Sequence, residues 1–372
     1  MLLLIPGPVT THDAVREAGG RDYAPWDNEF RDIVQRVRER VVRVAGGRAD
    51  EHTALPLQGC GHFAMEAACR TFVPPGGRIL LPKTGHYADR FERLATEAGR
   101  VIVPLAVPES AKADPEALYE ALERDSSLTH VALVYSETSS GVVHDVPSLA
   151  AAAGKAGRRV ILDAVSAFGA LPLELGAMPM VDSVIFTTNK CIEGLPGASF
   201  NVARIDRLLE ASGQAGSWSF DLSDIYQHYK RAPGAHRFTP AAGAIAAFDV
   251  ALDLYDEEGG QPARLARYTA NMRAVYDGVQ AFGLLPSLPS DVQGPIVVNI
   301  DAPDGPAWDL QRFVDGLKTR GVVISNFYNT PQPSFRIGCI GAITPDDMRR
   351  AVAAIGETLA DVAASRLSAT AA

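Results

Sequence analysis

The sequence predicts an α/β fold: a mostly parallel sheet of seven strands covered by helices on both faces, followed by a smaller α+β domain. Three observations predict it. Seven short apolar runs bounded by turn residues recur between residues 53 and 204. Most are separated by helix-length segments whose apolar residues repeat at helical spacing. After Gly259 and Gly260 the pattern changes. Strands alternating with helices need crossover connections, and these build parallel sheets buried on both faces.

In chain order, an N-terminal arm of residues 1–14 opens with MLLLIPGPVT. It is apolar for only a few residues and lacks a basic leader or a cleavage-type site, so neither a signal peptide nor a membrane span is expected. The large domain covers 15–258. Its strand runs are TALPLQ (53–58), RILLP (78–82), VIVPLA (101–106), THVALVY (129–135), RRVILDA (158–164), DSVIFTT (182–188) and ASFNVAR (198–204). Helical spacing fills GHFAMEAACRTF, HYADRFERLATEAG and DPEALYEALERD between them, and the long AAGAIAAFDVALDLYDEEGG near its end. The small domain, 259–372, reads as a helix around ARLARYTANMRAVYDGVQAFG, a strand at PIVVNID, and an amphipathic helix near WDLQRFVDGLKTRG. Strands at VVIS and SFRIG and a closing helix from Thr344 complete it, and the tail SRLSATAA is expected to fray.

Composition narrows the function classes. A chain of 372 residues is long enough for two cores, and 47% hydrophobic with 21% charged residues is globular usage. The net charge of -9 repels polyphosphate, which argues against nucleic acid as a partner. Cys60, Cys69, Cys191 and Cys339 show no CxxC pairing and no metal-ligand spacing with histidine, so reduced thiols in a cytoplasmic protein are expected, and no metal.

The stretch TTNKCIEGLPG places Lys190, one of only six lysines among 35 basic residues, just after a run that reads as a buried strand. In an open parallel sheet, ligands bind beyond the carboxyl ends of the strands. That rule selects Gly59-Cys60-Gly61-His62 after the first strand, ETSSG (137–141) after the fourth, Asp163 at the end of the fifth and Lys190 after the sixth. An amine able to form an imine, with a carboxylate able to pair with a pyridinium nitrogen, fits pyridoxal phosphate. Gly59 to Gly61, opening a helix, offers backbone N–H groups and a positive dipole end to the phosphate. Each piece alone has a plainer reading: a solvated surface lysine, a helix-capping aspartate. Gly59-x-Gly61-x-x-Ala64 also mimics the dinucleotide fingerprint, but Lys83 ends the second strand where a ribose-binding acid is required.

With these residues in view, the chain resembles the class V aminotransferases among the fold-type I pyridoxal phosphate enzymes. The motifs are LQGCGHFAMEA, GHYADR, THVALVYSETSSG, ILDAVSAFG, TTNKCIEGLPG, HRFTP and FRIGCIG, and with PGPVT at the start they cover nearly the whole chain in order. The resemblance implies that Lys190 holds the cofactor as an imine and that Asp163 faces the pyridine nitrogen. Tyr87 falls where the family stacks an aromatic ring on the cofactor, with a core tyrosine as the alternative. Cys60 and His62 replace the two hydroxyl residues of the family's Gly-Ser-Gly-Thr phosphate grip, and an imidazolium at His62 is one substitute for the lost donor. Thr138 and Ser139 match cofactor-edge hydroxyls, Thr188 a phosphate contact, and Thr239 a threonine that reaches the phosphate from the neighbouring subunit, which implies a homodimer with shared active sites.

Arg336 matches the arginine that grips the anionic end of both substrates, a task suited to a planar fork. Arg90 and Arg237 also fall on family positions, with surface placement as the alternative in so arginine-rich a chain. Trp26 matches a family tryptophan near the N-terminus, or it packs. Cys339 raises the cysteine desulfurases, yet it lies on the wrong side of the arginine motif and reads as a small buried hydrophobe. Within the family the motifs lie nearest the branch that moves the amino group of 2-aminoethylphosphonate to pyruvate, with alanine:glyoxylate transaminases more distant. The stretch SNFYNTPQPSFRIG differs from the Tyr-Pro-Gly-Lys type of loop in that branch. A substituted aminophosphonate, or alanine or serine with glyoxylate, is therefore the alternative substrate class, and a silent scaffold that kept the fold is the alternative outside enzymes.

Overall fold

The computed structural model describes residues 1–108, 110–303, 308–328, 330 and 332–369. Seven strands form the main sheet: β1 (His52–Gln58), β2 (Arg78–Lys83), β3 (Val101–Ala106), β4 (Leu128–Val134), β5 (Arg159–Asp163), β6 (Val181–Thr187) and β7 (Ala198–Arg204). Their spatial order is β1-β7-β6-β5-β4-β2-β3, and only β7 runs antiparallel to its neighbours. The residues explain the order. Central β4 is buried from His130 onward and β6 throughout, as strands covered on both faces must be. Three strands carry a proline: β1 with Pro56 and β3 with Pro104 take the two edges, where a missing N–H costs least, and Pro82 lies near the end of β2, beyond the Arg78–Leu80 stretch that pairs with β4.

Because β7 is reversed against both β6 and β1, β1 points the same way as the parallel strands. The carboxyl ends of β1, β4, β5 and β6 therefore open at one edge. Helix α1 (Asp13–Gly19), α2 (Asn28–Val44), α3 (Gly61–Phe72), α4 (His86–Glu97), α5 (Pro115–Arg124), α6 (Val146–Lys155), α7 (Ile205–Glu210), α8 (Leu222–Arg231) and α9 (Ala242–Glu258) accompany this sheet. Its core runs from Val15 to Tyr255 and includes the stacked Phe168, Phe186 and Phe200.

Helix α9 stops at Gly259, whose left-handed φ of 110° only glycine adopts without strain, and α10 (Gly260–Gly278) begins at once. A second core gathers around α10, α11 (Leu310–Thr319), α12 (Pro345–Ala369) and the antiparallel pair β8 (Val297–Asp301) and β9 (Ser334–Gly338). The N-terminal arm joins this second half: Leu2–Leu3 pair in parallel with Val322–Val323, and Leu4 is buried in its core. No described helix is long and apolar enough to cross a membrane.

Candidate active site

Asp163 is the last residue of β5, and Lys190 lies three residues beyond β6 on the neighbouring strand. Both are buried. Desolvation pushes the Asp163 carboxyl up to about 6, against a hydrogen bond from the Val165 N–H (2.9 Å) and the nearby Lys190 charge, which favour ionisation. A carboxyl so placed gains from a cation beside it. The Lys190 ammonium donates to the Pro6 carbonyl at 2.5 Å. Gly7 lies against the same side chain, so closely that a Cβ there would meet Lys190 Cδ at 2.4 Å.

The turn that carries Lys190 is held from within. Glu193 N–H donates to the Lys190 carbonyl (2.9 Å) and Gly194 N–H to the Thr188 carbonyl (2.8 Å). Thr188, expected to meet a phosphate, instead gives its hydroxyl to the carbonyls of Leu195 and Ala198 and so braces this turn. Its neighbour Thr187 carries a buried hydroxyl that finds no partner among the described residues.

Gly59 leaves β1 with a φ of 114°, its N–H bound to the Gly197 carbonyl, and α3 starts at Gly61 with no side-chain cap from Cys60. The first N–H groups of α3 thus open at the sheet edge beside β6, where a Cβ on Gly61 would meet Val165 at 2.8 Å. Cys60 is exposed, 3.8 Å from His62 Nδ1. Burial, with the charges of Arg90 and His86 adding, pushes the His62 imidazole below its ordinary value. Both effects disfavour the imidazolium that the sequence offers as a substitute donor.

The ETSSG loop builds the opposite wall. Glu137 is fully buried, and its carboxylate accepts from Ser139 N–H (3.1 Å), Ser139 Oγ (2.5 Å) and the N–H of Tyr87 (3.3 Å) at the start of α4. Ser139 Oγ also accepts the His86 N–H at 3.3 Å. Tyr87 is thereby fixed at the site edge, half-buried, with the Arg90 guanidinium 5.0 Å from its ring centroid. Thr138 keeps a buried hydroxyl without a partner among the described residues. The small half reaches in through β9, where buried Arg336 donates to the Thr138 carbonyl at 2.8 Å, and through Asn299, which donates to the Ser139 carbonyl at 2.7 Å. Asn299 and Arg336 are paired across β8 and β9.

Three residues singled out in the sequence lie apart from this cluster. Trp26 is 64% exposed; Thr239 is exposed beside Phe238; and Arg237 forms an ion pair with Asp224. Three others belong to the cluster although the sequence assigned them no role. Glu137 lay inside a noted motif, Gly7 lay in PGPVT, and Asn299 had no signal beyond its strand. Cys339 is completely buried, and burial pushes its thiol well above the ordinary range, as a packing residue requires.

A lysine and an aspartate from adjacent strand ends, an open helix N-terminus and an arginine from a second half are also what comparison with known proteins finds. The profile of "Aminotransferase class-V" matches residues 14–326. The chain belongs to the class-V aminotransferases. It is 42% identical over 373 residues to the 2-aminoethylphosphonate–pyruvate transaminase of Burkholderia ambifaria (strain MC40-6), covering 100% of this chain and 99% of the relative. It is 41% identical over 358 residues to the protein of the same description from Burkholderia pseudomallei (strain K96243), covering 96% of each. The crystal structure of an aspartate aminotransferase of subgroup IV from Thermus thermophilus superposes with a TM-score of 0.85 at 26% identity, covering 97% of this chain and 100% of that one.

A class-V aminotransferase works with pyridoxal 5′-phosphate, and the residues present fit it. The uncapped α3 N-terminus and the unpartnered hydroxyls of Thr138 and Thr187 suit an anionic, acceptor-rich group, while the reluctant Asp163 carboxyl suits a protonated ring nitrogen.

Proposed function

We propose that this aminotransferase moves the amino group of 2-aminoethylphosphonate to pyruvate, giving phosphonoacetaldehyde and L-alanine. The observation that carries the assignment is the pair of guanidinium groups at Tyr87. Arg90 lies over the ring, and Arg336, whose charge burial already disfavours, lies near enough to feel Arg90 as well as the buried Glu137. Two guanidinium groups converging on one ring edge favour a ligand of high negative charge there. A phosphonate, which can carry two charges, answers that arrangement better than a carboxylate alone. Full-length identity of about 40% to transaminases of that description points the same way.

The chain's own residues divide the work. Lys190 would hold the cofactor and would move the proton of the carbon that bears the substrate amine. Asp163 keeps the pyridine nitrogen protonated, Tyr87 covers the ring, and Arg336 with Arg90 turns the substrate's anionic end away from Lys190. Pyridoxal phosphate, when bound, would supply an electron sink for the carbon that gives up its proton. Cys60, His62, Thr187 and the N–H groups at Gly61 would line the phosphate end, with Thr138 and Ser139 at the cofactor's edge on the opposite wall.

The same assignment includes a homodimer. Trp26 and Trp218 (70% exposed), with Phe63 and Phe238, leave large aromatic surfaces uncovered on one chain, and exposed Thr239 sits next to Phe238. A second copy that covers them would bring Thr239 to the partner's phosphate end. All four cysteines are free and three are buried, in keeping with a reducing cytoplasm. In that setting the enzyme would serve phosphonate breakdown.

The test is direct. Purified enzyme is given 2-aminoethylphosphonate and pyruvate, and phosphonoacetaldehyde and alanine are measured beside parallel runs with serine or alanine and glyoxylate. Turnover by the first pair alone supports the proposal, and turnover only by another pair overturns the donor while leaving the chemistry. The loop 325–338, which sets this chain apart from the Tyr-Pro-Gly-Lys type, includes Asn329 and Pro331, outside the described residues. Light scattering checks the dimer, which Trp218→Arg is expected to split with loss of activity.

A further inference from the structure

One face of α10 is polar and yet buried. Arg264, Tyr268 and Asn271 recur at the spacing of one helix face and lie inside the protein, with Arg267 beside them half-buried. An unpaired polar face would be costly to bury, so its partners reveal what it is for. They fall into two groups.

The first group is the Lys190 turn. The Tyr268 hydroxyl reaches Glu193 Oε1 at 2.6 Å and the Cys191 carbonyl at 3.1 Å. Arg267 Nη2 donates to the same Glu193 oxygen at 2.7 Å, and Arg264 Nη1 donates to the Cys191 carbonyl. Glu193 is the one described non-glycine residue with a positive φ, 63°, a backbone state that residues with a Cβ rarely adopt. Its carboxylate, gripped by the Tyr268 hydroxyl and Arg267 with the Arg264 guanidinium 3.3 Å away, holds it there. The second group is the chain just past Arg336. Tyr268 also accepts the Gly341 N–H at 3.3 Å, Arg267 Nη1 donates to the carbonyls of Gly341 (2.6 Å) and Ile343 (2.9 Å), and Asn271 donates to the Cys339 carbonyl at 3.0 Å. Glu258 keeps both arginines in place, at 2.7 Å from Arg264 Nε and 2.8 Å from Arg267 Nε.

We propose that Glu193, Arg267 and Tyr268 are positioning residues for transamination: through one hydroxyl, one guanidinium and one carboxylate they fix the distance between the Lys190 turn and the strand that carries Arg336. Lys190 acts at the carbon that bears the amine and Arg336 holds the far end of the same small molecule. A substrate gripped by Arg336 meets Lys190 correctly only if the two segments keep one separation. Neither sheet supplies that restraint, because β6 belongs to the first core and β9 to the second. Helix α10 joins them, and the small apolar cluster of Val9, Cys191, Tyr268, Ile296 and Ile340 packs around the join. The proposal rests on the aminotransferase chemistry but not on which amine is the donor.

Tyr268→Phe and Glu193→Gln each remove one hydrogen-bonding function and keep the shape. Gln261→Ala serves as control: Gln261 lies on the same helix, yet its side chain donates only to the Ala170 carbonyl and reaches neither segment. The wild type is first assayed to find an amine it turns over, so failure of the donor assignment is seen before any variant is compared. Each positioning variant is expected to lower kcat about tenfold or more while KM changes less than about threefold, and the double variant to fall little further than either single one. Hydrogen exchange on the cofactor-free protein is expected to speed up together in segments 188–196 and 336–343. Gln261→Ala is expected to lower Tm without either change. The proposal is overturned if Tyr268→Phe and Glu193→Gln behave like Gln261→Ala, or if only one of the two segments loosens.

Discussion

The Lys190 side chain runs alongside Gly7, 183 positions earlier in sequence, while its ammonium donates to the carbonyl of Pro6. The N-terminal arm is thus part of the active-site wall. Gly7 has a φ of 130°, and the space its missing Cβ would need is filled by Lys190 Cδ and Cε.

Gly7→Ala is therefore expected to act on chemistry more than on folding. The obstructed atoms belong to a flexible side chain that can move aside, so the stability cost is about 1–3 kcal/mol, mostly from the backbone conformation. Moving Lys190 aside, however, misplaces the amine, and kcat is expected to fall more than tenfold. Thermal unfolding and steady-state kinetics on the same preparation separate the two effects. A variant with wild-type kcat would mean that the arm does not set the position of Lys190.

Asp163 gives a pH-dependent prediction. Its folded-state carboxyl titrates at about 6 against 3.8 for the free group, because burial penalises the charge. The native chain then binds more protons than the unfolded one between those values, so stability is full below about 4 and is lost as pH rises through about 6. Asp163→Asn retains an acceptor for the Val165 N–H and removes the titration. Without cofactor it is expected to be more stable than wild type at pH 7 to 8, by at most about 3 kcal/mol for a shift of about two units, with the gain vanishing near pH 4. With cofactor it is expected to lose activity, since the ring nitrogen has no carboxylate. Denaturant unfolding at pH 4, 6 and 8 decides it, and a constant difference across that range would refute the desolvation account.

What the sequence made legible follows from periodicity and from chain ends. The seven strands lie within a residue or so of the predicted runs because buried parallel strands are unmistakable apolar blocks, and once they are ordered the rule of carboxyl ends brings Gly61, Asp163 and Lys190 to one edge. Contacts between distant segments were not legible. Nothing in PGPVT says that Gly7 touches Lys190. Apolar periodicity misreads α10, whose buried Arg264, Tyr268 and Asn271 would be assigned to solvent. Thr188 was legible as a neighbour of Lys190, but the direction of its hydroxyl depends on the carbonyls of a turn that closes seven to ten residues later. His62 was legible as a substitution, whereas its charge state depends on burial and on Arg90 and His86, which come from α4.

Glu137 shows what such a distant contact contributes. Its carboxylate is buried, burial raises its affinity for a proton, and three donors hold it: two from Ser139 and one from Tyr87, fifty residues earlier in sequence. Glu137→Gln keeps the shape but turns an NH2 toward a site that expects only acceptors. Leaving one of the buried donors unmatched costs about 1–3 kcal/mol. The loss falls where Tyr87 and Ser139 meet, so the ring that should cover the cofactor and the loop that Arg336 holds are both released. Glu137→Gln is expected to weaken pyridoxal phosphate retention about tenfold, as roughly 1.4 kcal/mol of lost preorganisation would, and to leave the Lys190 turn unchanged. Cofactor titration of the stripped protein, followed by hydrogen exchange across 84–90 and 188–196, checks both parts. If the two segments loosen alike, Glu137 stabilises the fold in general; if only 84–90 loosens, it is the residue that sets Tyr87 in place.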